Sequence, residues 1–252
     1  MVRTKTDPSM RIPLSGEHIT ECKDREEARI RDAYARRHQG PEAIYSFLNP
    51  SFVLMVHERE QELLFMLSRY GVGSLEGKRV LEIGCGTGYW LRAFLQWGAV
   101  PENVFGIDLL PERIEQARKM CPQGVHLEST NAATLAFPDA SFDLVLQSTV
   151  FTSILDPGMR QRVAGEMLRV IRPNGLVIWY DFHVDNPRNP DVLGVRKNEI
   201  RQLFPGCQIQ HRRITLAPPI GRFVGRYSPL LYTLLSKTRI LCTHYLSLIK
   251  MK

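Results

Sequence analysis

The chain has 252 residues, of which 44% are hydrophobic, with 33 Lys and Arg against 26 Asp and Glu for a net charge of +7. That is enough apolar material for a substantial core. No apolar run reaches the roughly 18 to 20 residues of a membrane-spanning helix. The five cysteines (Cys22, Cys85, Cys121, Cys207, Cys242) are scattered without C-x-x-C spacing, which argues against a zinc site or a disulfide framework and for free thiols in a reducing cytoplasm.

In chain order, Met1 to Thr20 is polar and broken by Pro8 and Pro13. It lacks a secretory apolar region and is expected to be flexible. Glu21 to Arg37 reads as a charged helix, and residues 42–70 carry apolar positions at helical spacing before Gly71, Gly73 and Gly77 close the segment. The expected division is 1–20 as a flexible terminus, 21–74 as a helical extension, and 75–252 as the main domain.

The most informative run follows: Val80-Leu81-Glu82-Ile83-Gly84-Cys85-Gly86-Thr87-Gly88. A short apolar strand enters a glycine turn, and a helix leaves it through Tyr89, Trp90, Leu91, Phe94 and Leu95. Glycines there tolerate positive φ and leave bare backbone beside a ligand, with helix-start N–H groups pointing toward it. A second apolar run, Val104 to Ile107, ends at Asp108. A carboxylate at that place in a doubly wound sheet holds the ribose hydroxyls of a nucleoside, or else caps the helix beginning near Pro111.

These residues resemble the class I, Rossmann-like S-adenosylmethionine-dependent methyltransferases of the type 11 kind, whose glycines fall at every second position after an in-strand glutamate. The resemblance implies S-adenosylmethionine as cofactor, with Glu82, Gly84, Cys85, Gly86, Gly88, Asp108 and Leu109 among the residues around it. It extends to Thr130-Asn131-Ala132-Ala133-Thr134-Leu135-Ala136-Phe137-Pro138-Asp139-Ala140-Ser141-Phe142-Asp143, matching a family stretch that places an aspartate near the adenine amine. Here Asn131 replaces the acid; its carbonyl can still accept from that amine. Ala132, Ala133 and Gln147 complete the implied cofactor set. The family's glutamate and histidine after the fourth strand are replaced by Thr152 and Ser153. An N-terminal extension in such relatives is a lid, making Tyr34 and Tyr45 candidates to reach the acceptor.

Phe142 to Gln147 is the fourth strand, an amphipathic helix surrounds Met167 to Ile171, and Arg172-Pro173-Asn174-Gly175 is a turn into a fifth strand, Leu176 to Tyr180. The expected fold is α/β: a doubly wound, mostly parallel seven-stranded sheet with helices on both faces. The polar, proline-pinned segment Tyr180 to Asp191 then falls at the carboxyl edge, where ligands bind in such sheets. His183 is the candidate base, Asp181 or Asp185 its orienting partner, and Arg188 the anchor for an anionic acceptor. The alternative is a structured loop whose Asn and Asp side chains satisfy backbone groups.

Residues 188–252 carry twelve Lys or Arg against Asp191 and Glu199. Such a region fits an anionic acceptor, nucleic acid or a membrane face. Within it, Ile214 to Ile240 reads as helix packing on the sheet between a sixth strand, Cys207 to Thr215, and a seventh, Thr243 to Ile249. The same pattern fits an amphipathic helix lying on a membrane. The fourth strand lacks the Asp/Asn-Pro-Pro-Tyr/Phe sequence of enzymes that methylate a flipped adenine, and Cys121-Pro122 is misplaced for a cytosine nucleophile. The expectation is therefore O- or N-methylation of a small-molecule, glycan or lipid-linked acceptor in the cytoplasm or at the inner membrane face. Nucleic-acid methylation and a non-catalytic scaffold are the alternatives.

Overall fold

The computed structural model describes residues 16–37, 46–187 and 189–252, with side chains in the first stretch from residue 25 to 36. Two helices lead: α1, Gly16–Arg37, and α2, Pro50–Arg69, the latter capped by the Asn49 side chain. The sheet follows as β1 (Val80–Ile83), β2 (Val104–Asp108), β3 (His126–Ser129), β4 (Phe142–Ser148), β5 (Ile171–Phe182), β6 (Cys207–Leu216) and β7 (Cys242–Met251). Interleaved are α3 (Tyr89–Gln96), α4 (Pro111–Met120), α5 (Pro157–Val170), α6 (Lys197–Leu203), α7 (Pro218–Tyr227) and α8 (Pro229–Thr238).

The spatial strand order is β3-β2-β1-β4-β5-β7-β6, with β7 antiparallel to both neighbours and every other pairing parallel. The expected seven-stranded doubly wound sheet is therefore present. Period-two alternation builds its two cores. Leu81, Ile83, Val145, Val177 and Trp179 pack toward α5 and α6, while Val80, Leu144, Leu146, Leu176 and Ile178 pack toward α2 and α3. Of the stretch expected as a lid, α2 is thus part of a core layer, through Leu63, Met66 and Leu67. Only α1 lies on the opposite face, through Ile30.

The fifth strand starts earlier than its sequence indicates. Ile171 already pairs with Phe142, and a register irregularity between Phe142 and Leu144 absorbs the Arg172 to Gly175 stretch that reads as a turn. The chain order reverses between β1 and β4, so a crevice opens at the carboxyl ends of these two strands, the usual ligand position in such sheets.

Candidate functional site

A cavity of about 280 Å³ occupies that crevice. Its floor is Ile83, Gly84 and Gly86 from the end of β1, and Ile107, Asp108 and Leu109 from the end of β2. Asn131 and Ala132 form one side, Ser148, Thr149 and Val150 the other, and Ile30 and Tyr34 of α1 the cover.

Asp108 organises the floor. Its Oδ2 accepts the Gly86 N–H at 2.8 Å and its Oδ1 accepts the Leu110 N–H at 3.0 Å. One carboxylate thus fixes the glycine turn and the approach to α4, and each oxygen keeps a lone pair for a ligand hydroxyl. Burial raises its pKa, and the two N–H donors oppose that shift. Gly86 has φ +54° and nothing within 4 Å of where a Cβ would stand. It is bare backbone facing open space. Gly84 differs: at φ +67° its Cβ would fall 2.4 Å from Val150 Cγ2, so this glycine exists for packing against the β4 turn.

The remaining glycine-turn candidates stand behind the cavity. Gly88 is the left-handed N-cap of α3 and packs against Cys121 and Ala117. Cys85 is buried, donates its backbone N–H to the Ile107 carbonyl, and has its thiol pKa pushed up by burial. Glu82 is buried in β1 with Oε2 lacking any protein partner; burial first, and then the Asp108 charge, raise its pKa well above the ordinary carboxylate value. Gln147 is also buried. Its Oε1 accepts the Val150 N–H at 3.1 Å, bracing the turn that lines the cavity, while its Nε2 has no protein partner.

Asn131 lines the cavity but is engaged on both sides. Oδ1 accepts the Ala133 N–H at 2.8 Å, and Nδ2 donates to Glu27 of α1 at 2.9 Å. An aspartate here would set two carboxylates together, so the asparagine is what lets α1 dock by this route. Ala133 is buried below Asn131 rather than at the cavity. A second tie joins α1 to the far side. Glu26 accepts the N–H groups of Leu155 and Asp156 at the start of α5 and pairs with Arg29, whose guanidinium also donates to the Ser153 carbonyl. Burial alone would raise the Glu26 pKa, but these partners together hold it below the ordinary value. Tyr34 reaches the cavity, its hydroxyl 3.4 Å from Ser153 Oγ, with the Arg113 guanidinium 6.0 Å from its ring centroid.

None of the three residues expected to do the chemistry reaches this cavity. The His183 N–H donates to the Thr243 carbonyl, its Nε2 contacts the Cys242 carbonyl at 3.0 Å, and its ring stacks on Tyr245. A ring nitrogen facing a carbonyl must carry the proton, so that atom is a donor here, and burial lowers the pKa. Asp181 is wholly buried and accepts from the Thr152 hydroxyl at 2.6 Å, the Thr152 N–H and the Phe182 N–H; burial raises its pKa to about 6. Asp185 accepts the Gly194 N–H and faces Arg196. The segment's acids are engaged structurally: Asp181 by Thr152 and Phe182, Asp185 by Gly194 and Arg196, and Asp191 by Arg36 of α1 at 3.1 Å. Tyr45 and Arg188 lie outside the described residues. Ser153, one of the two residues standing where relatives carry a glutamate and histidine, lines the cavity, as do Arg113, Ser148 and Thr149, which the sequence did not mark because a helix start, a strand end and a turn carry no local signature.

The donor set fits an adenosyl group. Asp108 can accept from two ribose hydroxyls, Gly86 leaves room for the nucleoside, the Asn131–Ala132 backbone borders the same cavity, and Glu82 and Gln147 hold unpaired buried polar atoms next to the glycine turn. Fold and site together have the form of the class I, Rossmann-like methyltransferases, which use S-adenosylmethionine as cofactor.

Comparison with known proteins agrees. Residues 80–175 match the family described as Methyltransferase domain. The chain is 31% identical over 131 residues to the 2-methyl-6-phytyl-1,4-hydroquinone methyltransferase of Synechocystis sp., covering 51% of this chain and 39% of that protein. It is 28% identical over 118 residues to a tRNA N(3)-cytidine methyltransferase of Gallus gallus, covering 44% and 32% respectively. The chain therefore spans less than half the length of these two relatives. An S-adenosylmethionine-dependent methyltransferase from Mesorhizobium loti shares the fold, with a TM-score of 0.53 at 17% identity over 72% of this chain and 95% of that one.

Proposed function

We propose that the chain transfers a methyl group from S-adenosylmethionine to a small-molecule or lipid-linked acceptor. The observation that carries this reading is the Asp108 carboxylate holding the Gly86 N–H at 2.8 Å while both residues face the cavity. Bound there, the cofactor's sulfonium supplies an already activated methyl group. What the chain contributes is position. Asp108 and the glycine turn fix the nucleoside, and Ile30, Ile154, Met159 and Val163 give the cavity a dry apolar side. Tyr34 and Ser153 offer hydroxyls that can orient an acceptor. Alignment of this kind supplies on the order of 7 to 11 kcal/mol of rate enhancement. Among the described residues no histidine or glutamate lines the cavity. This supports acceptors whose nucleophile needs no strong base, such as an amine, an acidic hydroxyl or a stabilised carbanion.

Titration calorimetry with S-adenosylmethionine and S-adenosylhomocysteine tests the reading. Asp108→Ala should weaken both by about 1.5 to 3 kcal/mol, the worth of hydrogen bonds to a charged group. Folded wild-type protein that binds neither ligand would overturn it. Labelled methyl transfer to candidate acceptors then separates an enzyme from a binding scaffold.

A nucleic-acid acceptor is the second reading, supported by the name of the Gallus gallus relative and by the net charge of +7. It requires RNA binding that weakens steeply with salt.

A further inference from the structure

The α7–α8 hairpin is apolar on its outer face as well as its inner one. On α7 the residues turned inward are Gly221, Val224 and Gly225, and on α8 they are Tyr232 and Ser236. Val224, Tyr232, Ile220 and Leu235 pack inward, but five further apolar side chains point to solvent: Phe223, Tyr227 and Leu230 are each 70% exposed, Leu234 55% and Ile240 77%. Small inward residues let α7 seat closely on α2. A Cβ on Gly225 would lie 2.9 to 3.1 Å from atoms of Ser51, whose hydroxyl donates to the Arg222 carbonyl at 3.0 Å. A surface helix normally buries its apolar stripe and exposes its polar face. Here two consecutive helices carry a second, solvent-facing apolar set besides the buried one, which marks a contact surface.

Topology places this surface at the active edge. The hairpin joins the carboxyl end of β6 to the start of β7. Because β6 and β5 are each antiparallel to β7, β6 runs with the parallel strands. The hairpin therefore leaves the sheet at the edge that carries the Gly84 to Gly88 turn. Phe47 and Leu48, 56% and 94% exposed, extend the apolar surface at that edge, with Phe47 stacked on Tyr89 at the start of α3.

Charge selects the occupant. Residues 200–252 contain nine Lys or Arg and no acidic residue; Arg212 and Arg239 of these pair with Glu62 of α2, whereas Arg222, Arg226 and Lys237 stand exposed among the apolar side chains. Two copies docked through this face would oppose these cations to one another. Of the stretches outside the described residues, 1–15 carries Arg3, Lys5 and Arg11 against Asp7, and 38–45 carries the single acid Glu42, too little to match these cations. Apolar side chains interleaved with cations match the headgroup boundary of an anionic bilayer.

We propose that the α7–α8 hairpin docks the chain on an anionic phospholipid membrane and so turns the cofactor edge toward it. Apolar side chains enter the acyl boundary while Arg222, Arg226 and Lys237 meet the headgroup phosphates. Docking itself does not depend on methyl transfer. That it presents a lipid-borne acceptor to the cavity rests on the function proposed above.

The test is co-sedimentation of the full chain with phosphatidylcholine vesicles, with and without phosphatidylglycerol, at low and high salt. Binding is expected only with phosphatidylglycerol, falling as salt rises. Phe223→Ser/Leu230→Ser/Leu234→Ser should lower partitioning about tenfold or more by removing the inserted side chains. Arg222→Glu/Arg226→Glu should lower it about 25-fold or more, at roughly fivefold per lost cation. Both variants should bind S-adenosylmethionine as the wild type does, which confirms folding. No sedimentation with anionic vesicles at low salt, equal sedimentation with neutral ones, or unchanged binding by the serine variant would overturn the proposal. So would a wild-type dimer that the serine variant converts to monomer. Failure of the wild type to bind S-adenosylmethionine would instead count against the proposed function and leave vesicle binding to stand or fall alone.

Discussion

Gly84 and Gly86 share a left-handed backbone, with φ +67° and +54°, but have opposite surroundings, and this separates packing from ligand binding. Alanine at either position carries a similar backbone cost of roughly 1 to 2 kcal/mol. At Gly84 the new Cβ would also stand 2.4 Å from Val150 Cγ2, well inside contact, adding an overpacking cost of about 1 to 3 kcal/mol. At Gly86 it meets no protein atom within 4 Å. Gly86→Ala should therefore lose only the backbone cost in stability, yet weaken S-adenosylmethionine binding about 5- to 150-fold as the cofactor yields to the methyl group. Gly84→Ala should lose about 2 to 5 kcal/mol of stability. Adding Val150→Ala should recover most of the clash but not the backbone cost, a non-additivity that a double-mutant cycle reads directly. Urea denaturation and calorimetric titration of the four proteins supply both quantities. If Gly86→Ala binds cofactor like the wild type, the space beside Gly86 is not the ligand's. If Val150→Ala fails to rescue Gly84→Ala, the packing account of Gly84 is wrong.

Asn131→Asp should set a second carboxylate beside Glu27 and loosen α1, lowering amide exchange protection over residues 25–36, and Glu27→Gln in the same chain should restore it; protection unchanged by Asn131→Asp would refute the docking role. Asp181 has a folded pKa near 6 against an ordinary 3.8. An acid with a raised folded pKa contributes stability that is full below the unfolded value and is lost as pH rises through the folded one. The stability of the wild type relative to Asp181→Asn should accordingly fall by about 2 kcal/mol between pH 4 and pH 7, at 1.36 kcal/mol per unit; a difference that stays flat with pH would show that the carboxyl is not held as described.

The parts of the site legible in the sequence are those with a local physical signature. Strand, glycine turn, helix and the carboxylate ending the next strand lie within 29 residues, and the cavity floor is made of them. What was not legible depends on which long-range partner claims a residue. Asp181 lies on the α5 face with Trp179, as does the cavity lined by Met159 and Val163, but its carboxylate is taken up by the Thr152 hydroxyl and N–H and by the Phe182 N–H. His183 is claimed by β7, which arrives some 60 residues later and pairs antiparallel across Phe182 and His244. A polar segment at the carboxyl edge reads as catalytic when its partner strand is not yet placed; once β7 is in position, the same residues are seen to satisfy backbone groups. The α1 contribution is hidden for a related reason. Glu26, Glu27 and Ile30 look like one turn of a charged helix, and their role appears only when the N–H groups of Leu155 and Asp156 and the amide of Asn131 are brought to them from more than 100 residues away.

The α7–α8 segment is the instructive ambiguity. Apolar residues at helical spacing predict that one face is covered, but not by what, because a protein core and a bilayer reward the same pattern. Gly221, Gly225 and Ser236 carry the missing information. Small residues on the face opposite the leucines let a helix approach its own protein closely, and the leucines are then left for something else. Reading Gly221 and Gly225 as part of the buried stripe orients α7 from sequence; α8, which buries Tyr232 beside Ser236, is oriented only by its packing.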